Sequence, residues 1–156
     1  MASRTYRYFK GEPLYPFGFG LSYSRFAYDD FQAPSHLSPG SQATVTARVR
    51  NVGERAGDEV VQVYLRPSPD AAVREIAPGQ DMPRLLLAGF QRISLAPGES
   101  RTVTFTLSPQ QLLLVDAQGK RSLQPGEWQV YVGGAQPKLS GEAYAGNGLS
   151  RKLVVR

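Results

Sequence analysis

The stretch 44–50, Thr-Val-Thr-Ala-Arg-Val-Arg, alternates polar and apolar residues one by one. In an extended chain successive side chains point to opposite faces, so Val45, Ala47 and Val49 fall on one side and their polar partners on the other. This is the pattern of a half-buried strand, and it recurs. Arg101-Thr102-Val103-Thr104-Phe105-Thr106-Leu107 puts Val103, Phe105 and Leu107 on one face, with three β-branched threonines opposite. Glu59 to Leu65 is apolar on both faces, which predicts a central strand, and Trp128 to Val132 is a further strand. Phe90–Leu95 and Leu153–Arg156 complete the stronger set.

Three turn signals of one kind stand just before strands: Pro39-Gly40-Ser41, Pro97-Gly98-Glu99 and Pro125-Gly126-Glu127. Proline presets φ for such a turn and glycine takes the positive φ that follows. A longer polar connection, Asn51 to Gly57, joins two of the strands. The only helical candidate is Ser108-Pro109-Gln110-Gln111-Leu112, one turn at most. About seven short strands without a long helix predict an all-β fold, a two-sheet β-sandwich of immunoglobulin or fibronectin type III kind. A small barrel is the alternative within that class. Two irregular stretches, 71–84 and 133–150, interrupt the rhythm; the second holds the isolated Tyr144.

A chain of 156 residues suits one domain with a real core plus twenty or thirty residues of something else. It has no cysteine, so neither a disulfide framework nor a thiolate metal site is available. The net charge of +5 comes from 18 basic against 13 acidic residues, and 14 of the basic ones are arginines scattered singly. A phosphate-tracking surface needs them gathered on one face, so nucleic acid is not an expected partner. The longest apolar runs, such as Leu85-Leu86-Leu87-Ala88, fall far short of the ~20 residues of a membrane helix. Met1 to Arg4 lacks the apolar core of a signal peptide.

The expected catalytic, cofactor and metal sites number none. His36 is the only histidine, so any triad or histidine metal site must pass through it, and it has no carboxylate near in sequence. Asp29-Asp30 and Asp58-Glu59 are adjacent carboxylates, but neighbours in a strand face opposite ways and so should not share a substrate. A glycosidase pair needs two carboxyls facing each other roughly 5 to 10 Å apart across a cleft. Gly18-Phe19-Gly20 lacks the third glycine, strand and helix of a dinucleotide loop. Trp128, on a strand, reads as core rather than as a sugar platform.

Ahead of the strands, Lys10 to Phe26 crowds aromatic rings among Pro13, Pro16, Gly18 and Gly20. With Tyr6, Tyr8 and Phe9, the rings Tyr15, Phe17, Phe19 and Tyr23 give seven aromatics in eighteen residues, without helical or strand periodicity. Each ring buries ~150 to 250 Å² when covered, so an extended junction segment (1–24) serving as an interface strip is expected, followed by a sandwich over 25–156. The alternative, that part of the lead folds back on the sandwich itself, is open for the later rings, Tyr23 and Phe26.

Thr5 to Phe9, followed by Pro13-Leu14-Tyr15-Pro16-Phe17-Gly18-Phe19-Gly20-Leu21-Ser22-Tyr23, resembles the junction preceding the C-terminal domain of family 3 glycoside hydrolases, the β-glucosidases and β-xylosidases. Asn51-Val52-Gly53, Ala56 to Leu65, Leu87 to Ile93, Leu95 to Ser100, Pro125 to Trp128 and Val132-Gly133-Gly134 are similar to that family's fibronectin type III-like domain in order and spacing. The resemblance runs from about Arg4 to the C-terminus. It implies a non-catalytic C-terminal accessory domain, because the family's nucleophilic Asp lies on a barrel and its acid/base carboxylate usually on an α/β domain, and neither motif has a position here. It also implies, as partners, those barrel and α/β domains of the same parent, with Tyr6, Tyr8, Phe9, Tyr15, Phe17, Phe19 and Tyr23 as the interface, and a periplasmic or secreted bacterial parent. Tyr6-Arg7-Tyr8-Phe9 tilts toward the xylosidase-like branch, whereas Leu85-Leu86-Leu87 departs from the family's Lys-Glu-Leu and blurs sugar preference. An uncovered strip leaves room for a homodimer. Two other functions are open: an autonomous carbohydrate-binding module, or weaker oligosaccharide contact, for which Tyr64 and Tyr131 are the outward-facing candidates, and an adhesion-type immunoglobulin-like domain.

Overall fold

The computed structural model describes residues 5–38, 40–68, 83–115, 119–123, 125–138 and 148–156. The expectations placed on Met1–Arg4, on most of 71–84 and on Tyr144 lie outside these residues. In chain order the elements are α1 (Thr5–Tyr8), β1 (Phe26–Gln32), β2 (His36–Leu37), β3 (Ala43–Asn51), β4 (Gly57–Pro67), β5 (Leu86–Leu95) and β6 (Ser100–Leu107). A 3-10 turn (Pro109–Leu112), β7 (Leu113–Val115), β8 (Arg121–Leu123), β9 (Gly126–Gly133) and β10 (Leu149–Val155) follow. Of the seven long strands, β3, β4, β5, β6, β9 and β10 correspond to the six segments read from the sequence and β1 is added by the structure; β2, β7 and β8 are two or three residues long.

One sheet has the order β1-β3-β6, a second β2-β10-β9-β4-β5, and β7-β8 form a small ribbon. The two larger sheets share one core. Val45, Ala47 and Val49 from β3 and Val103, Phe105 and Leu107 from β6 meet Val61, Val63, Leu65, Trp128, Val130 and Leu153 from the facing sheet. The alternation read at 44–50 and 101–107 is therefore the alternation of burial. β4 is central, between β9 and β5, as its two-faced apolar run requires.

Gly40, Gly98 and Gly126 adopt φ of 79°, 75° and 133°, the positive φ expected of the glycine after each of these prolines. The 3-10 turn is held by the Gln111 side chain, whose Oε1 accepts from the Ser108 amide (2.7 Å) and whose Nε2 donates to the Ala88 carbonyl. Ala88 lies where β5 bulges, its register against β4 shifting beside Val63 and Tyr64, so this side chain supplies a donor to a carbonyl at the bulge.

β1 departs from simple alternation. Its register against β3 shifts between Asp29 and Gln32, and Asp30 sits at φ 46°, a left-handed conformation that aspartate tolerates better than most side chains. This turns the two carboxylates toward one partner: Arg48 Nε meets Asp29 Oδ1 at 2.5 Å and its Nη2 meets Asp30 Oδ2 at 2.9 Å. The expectation that Asp29 and Asp30 face apart is thus corrected by the bulge. Asp58 and Glu59 do face apart: Asp58 accepts from Ser94 Oγ and Arg92 on the outer face, whereas Glu59 points inward to Tyr28.

Candidate functional site

The aromatic lead is tied along the outer face of the five-stranded sheet. It opens with one helical turn, α1, closed by the Phe9 amide donating to the Thr5 carbonyl at 3.0 Å, where extended backbone was expected. The start of β5 grips this turn. The Arg84 amide donates to the Arg7 carbonyl (2.6 Å), Arg84 Nη1 to the Phe9 carbonyl (2.8 Å) and the Leu87 amide to the Tyr6 hydroxyl (3.3 Å). Farther on, the Gln136 amide donates to the Phe17 carbonyl at 2.7 Å.

Gly18, at φ 84°, allows the closest approach: a Cβ there would collide with the Gln62 amide and the Gly134 carbonyl. Gln62 is a buried polar residue on that outer face, and it is satisfied. Its Nε2 donates to the Gly134 carbonyl (3.0 Å) and its Oε1 accepts from the Tyr64 hydroxyl (2.6 Å). Below α1, Tyr64, Leu85 and Tyr131 form a second small core with Leu87.

This overturns the expectation for Tyr64 and Tyr131. Both project to the outer side of the sheet, paired across β4 and β9, yet they are only 1% and 3% exposed. Burial raises the Tyr64 hydroxyl pKa, with the nearby Tyr6 and Tyr131 adding to the effect. Neither ring offers a platform to a sugar.

The same arrangement reverses which end of the lead is covered. Tyr6 and Phe9 are about half covered and Tyr8 is partly buried, while Tyr15, Phe17, Phe19 and Tyr23 are 73%, 63%, 53% and 89% exposed. Leu14 and Leu21 are almost bare. Of the two rings for which folding back was the alternative, Phe26 does so, as the first core residue of β1, and Tyr23 does not. Tyr23 instead lies beneath the Arg55 guanidinium, 5.6 Å from the ring centroid. Tyr15 and Phe19 pack on each other at 5.2 Å with planes tilted by 38°, so they are not a coplanar stacking surface.

Between the lead and the sandwich rim runs a cleft of about 420 Å³ whose lining includes Phe19, Arg25, Tyr28, Glu59, Tyr131 and Lys138. At its floor the Tyr28 hydroxyl donates to Glu59 Oε1 at 2.5 Å. Burial pushes the Glu59 carboxyl above its ordinary value and the Tyr28 hydrogen bond pulls partly back. A raised folded-state pKa means that the contribution is fully present at low pH, where the group is neutral folded or unfolded. It is lost as pH rises through the folded value, because the fold must then hold a half-buried charge. Glu59→Gln keeps an acceptor for Tyr28 and is expected to raise the urea midpoint relative to the native chain at pH 8, with the gap closing near pH 4. An equal gap at both values would refute this.

His36 is exposed and shares a hydrogen bond with Ser35 Oγ at 2.9 Å. Among the described residues no group of three or more His, Cys, Asp or Glu could hold a metal, and no helix is long and apolar enough to cross a membrane. Trp128 is fully buried.

The fibronectin type III-like domain family matches residues 59–136. The chain is 36% identical to a β-xylosidase of Formosa agariphila over 129 residues, which is 82% of this chain and 17% of that protein. It is 35% identical to the periplasmic β-glucosidase of Salmonella typhimurium, over 83% of this chain and 16% of that one. Among solved structures, the GH3 β-glucosidase of Bifidobacterium adolescentis superposes with a TM-score of 0.67 at 31% identity, covering 89% of this chain and 18% of that one. The chain thus spans about a sixth of the length of the curated relatives it matches.

Proposed function

Because the chain belongs to the fibronectin type III-like domain family of the GH3 glycoside hydrolases, we propose that it is a non-catalytic accessory domain that docks on the catalytic domains of a β-glucosidase or β-xylosidase and stabilises them. One observation carries this reading: a run of bare apolar side chains, Leu14, Tyr15, Phe17, Phe19, Leu21 and Tyr23, on a segment whose backbone is fixed to the sandwich. Monomers rarely expose contiguous apolar patches beyond a few hundred Å², whereas interfaces between domains of one chain bury about 600–1,500 Å². The run is held in place before any partner arrives, so docking costs little additional chain entropy.

In this reading residues 1–24 are the junction and the sandwich begins at 25. The parent's barrel and α/β domains cover the run, and the parent works outside the cytoplasm, like the periplasmic β-glucosidase of Salmonella typhimurium. The reading as an autonomous binding module loses its rings, since Tyr64 and Tyr131 are buried.

The test is the combined variant Tyr15→Ser, Phe17→Ser and Phe19→Ser. In the 156-residue chain its melting temperature is expected to stay within about 2 °C of native, since these rings give little burial to their own domain. In a polypeptide carrying the barrel and α/β domains as well, it is expected to remove about 2 kcal/mol of stabilisation, read as a shorter half-life of aryl-glycoside hydrolysis on heating. The chain alone is expected to turn over neither aryl β-glucosides nor aryl β-xylosides. A large loss of stability in the isolated chain would mean that the rings belong to its own core, and docking would fall.

A further inference from the structure

The outer face of the five-stranded sheet is covered along one side only. On β4 the outward residues Gln62 and Tyr64 lie under the lead, Gln62 being 2% exposed. One pleat further the cover ends. Val60 is 40% exposed, and on β5 Phe90, the cross-strand partner of Gln62, is 70% exposed. Arg92, its neighbour on the same face, has a stem long enough to lie across that ring. It turns the other way instead, with Nε and Nη2 both on Asp58 Oδ2, while Ser94 Oγ donates to Asp58 Oδ1 at 2.5 Å. Gln62 is likewise satisfied, by the Gly134 carbonyl and the Tyr64 hydroxyl. The polar groups around Val60 and Phe90 have committed their hydrogen bonds elsewhere, so what this face presents is apolar.

The patch adjoins the lead. Gly18 sits against the Gln62 side chain, so Phe17 and Phe19 flank the same residue that Phe90 faces across the strands. Bare apolar surface therefore runs from the lead, past Gln62, onto β5. We infer that Phe90 and Val60 are the sandwich's own part of the docking surface, seated against apolar side chains of the same catalytic domain that covers Phe17 and Phe19. This rests on the docking role proposed above for the lead, and adds that one partner surface spans lead and sheet together. An apolar centre with a polar rim of Asp58, Arg92 and Ser94 is the anatomy of an interface. A charged partner gains little there, because Asp58 and Arg92 already pair with each other. Contact on two elements also fixes the angle of the sandwich, which a single strip leaves free to pivot about its length.

Phe90→Ser tests it. In the 156-residue chain the melting temperature is expected to stay within about 2 °C of native, because the ring gives its own domain little burial. In a polypeptide that also carries the barrel and α/β domains, the half-life of aryl-glycoside hydrolysis on heating is expected to shorten about fivefold. Combined with Tyr15→Ser, Phe17→Ser and Phe19→Ser, the loss is expected to fall short of the product of the two, since one surface seats both patches. A full product would assign them to separate surfaces and overturn the inference. If the triple variant shortens the half-life and Phe90→Ser does not, the β5 contact is overturned and docking by the lead stands; if neither does, both fall. Sedimentation of the isolated chain and its titration with xylotetraose and cellotetraose examine other occupants. A dimer dispersed by Phe90→Ser, or a saturable shift of the Phe90 amide, would give the face to a second copy or to a sugar and overturn the inference as well.

Discussion

Replacing Trp128 with alanine is expected to remove about 4–5 kcal/mol of folding stability, near half of what a domain of this kind possesses. Trp128 sits on β9 with no exposed surface, opposite Leu153 of β10 and Pro67 of β4, in the middle of the larger sheet's inner face. A tryptophan-to-alanine change there loses the transfer free energy of the largest side chain and leaves a cavity that three paired strands cannot close. Urea unfolding followed by circular dichroism measures it. A loss under about 2 kcal/mol would mean that the sheets collapse onto the hole and that the core is less rigid than described. Because this is the only tryptophan of the chain, the native protein's indole emission should be blue-shifted and unresponsive to sugars, a reporter of folding alone.

Asn51→Ala is expected to cost about 3 kcal/mol although it deletes only a small polar group. Asn51 closes β3 and is completely buried. Its Nδ2 donates to the carbonyls of Arg55 (2.8 Å) and Leu95 (3.1 Å), and its Oδ1 accepts from the Gly53 amide (2.9 Å). Its backbone joins the neighbouring turn, the amide donating to the Glu99 carbonyl and the carbonyl accepting from the Gly98 amide, both within 3.0 Å. The side chain thus substitutes for strand ladder at the point where the chain leaves β3, and alanine removes the side-chain partner of the Leu95 carbonyl and the Gly53 amide and leaves the Arg55 carbonyl only Ser24 Oγ. The same loop anchors the end of the lead, where Ser24 Oγ donates to the Arg55 carbonyl at 3.2 Å. Asn51→Ala should therefore also speed amide hydrogen exchange at Val52, whose N–H donates to the Arg25 carbonyl. Unchanged stability would show that water replaces the amide fully.

Alternation is a one-dimensional property, and the features that depend on it alone were legible. Val45 to Val49 and Val103 to Leu107 face the core because a strand repeats every two residues, and the three Pro-Gly turns carry positive φ because no other residue adopts it so freely. β1 was not legible as a strand, since the bulge at Asp29–Asp30 breaks the repeat where the two acids turn together onto Arg48. The candidate site was half legible. Ring density drew notice to the lead, and the structure shows Leu14, Tyr15, Phe17, Phe19, Leu21 and Tyr23 exposed. Periodicity tells which side of a sheet a residue takes but not what lies over it, so Tyr64 and Tyr131 read as outward rings although the lead roofs them. Gly18 was the available clue: a glycine beside a buried glutamine signals close backbone approach, but only once the partner strand is known. Asn51 belongs to the same class, because a polar residue in a turn reads as solvated until its three partners are in place.

The attachment of the lead also governs how the molecule is made. Its anchors are separated from it by most of the polypeptide: Tyr6 awaits Leu87, Phe17 awaits Gln136, and Gly18 awaits Gly134. At about 5–20 residues per second a ribosome needs roughly 6–24 s to travel from the seventeenth residue to the one hundred and thirty-sixth. Throughout that interval the lead has none of the anchors that its own domain supplies. Chaperone capture or mispairing with a neighbouring nascent chain competes during those seconds, and the race ends when the segment after β9 emerges.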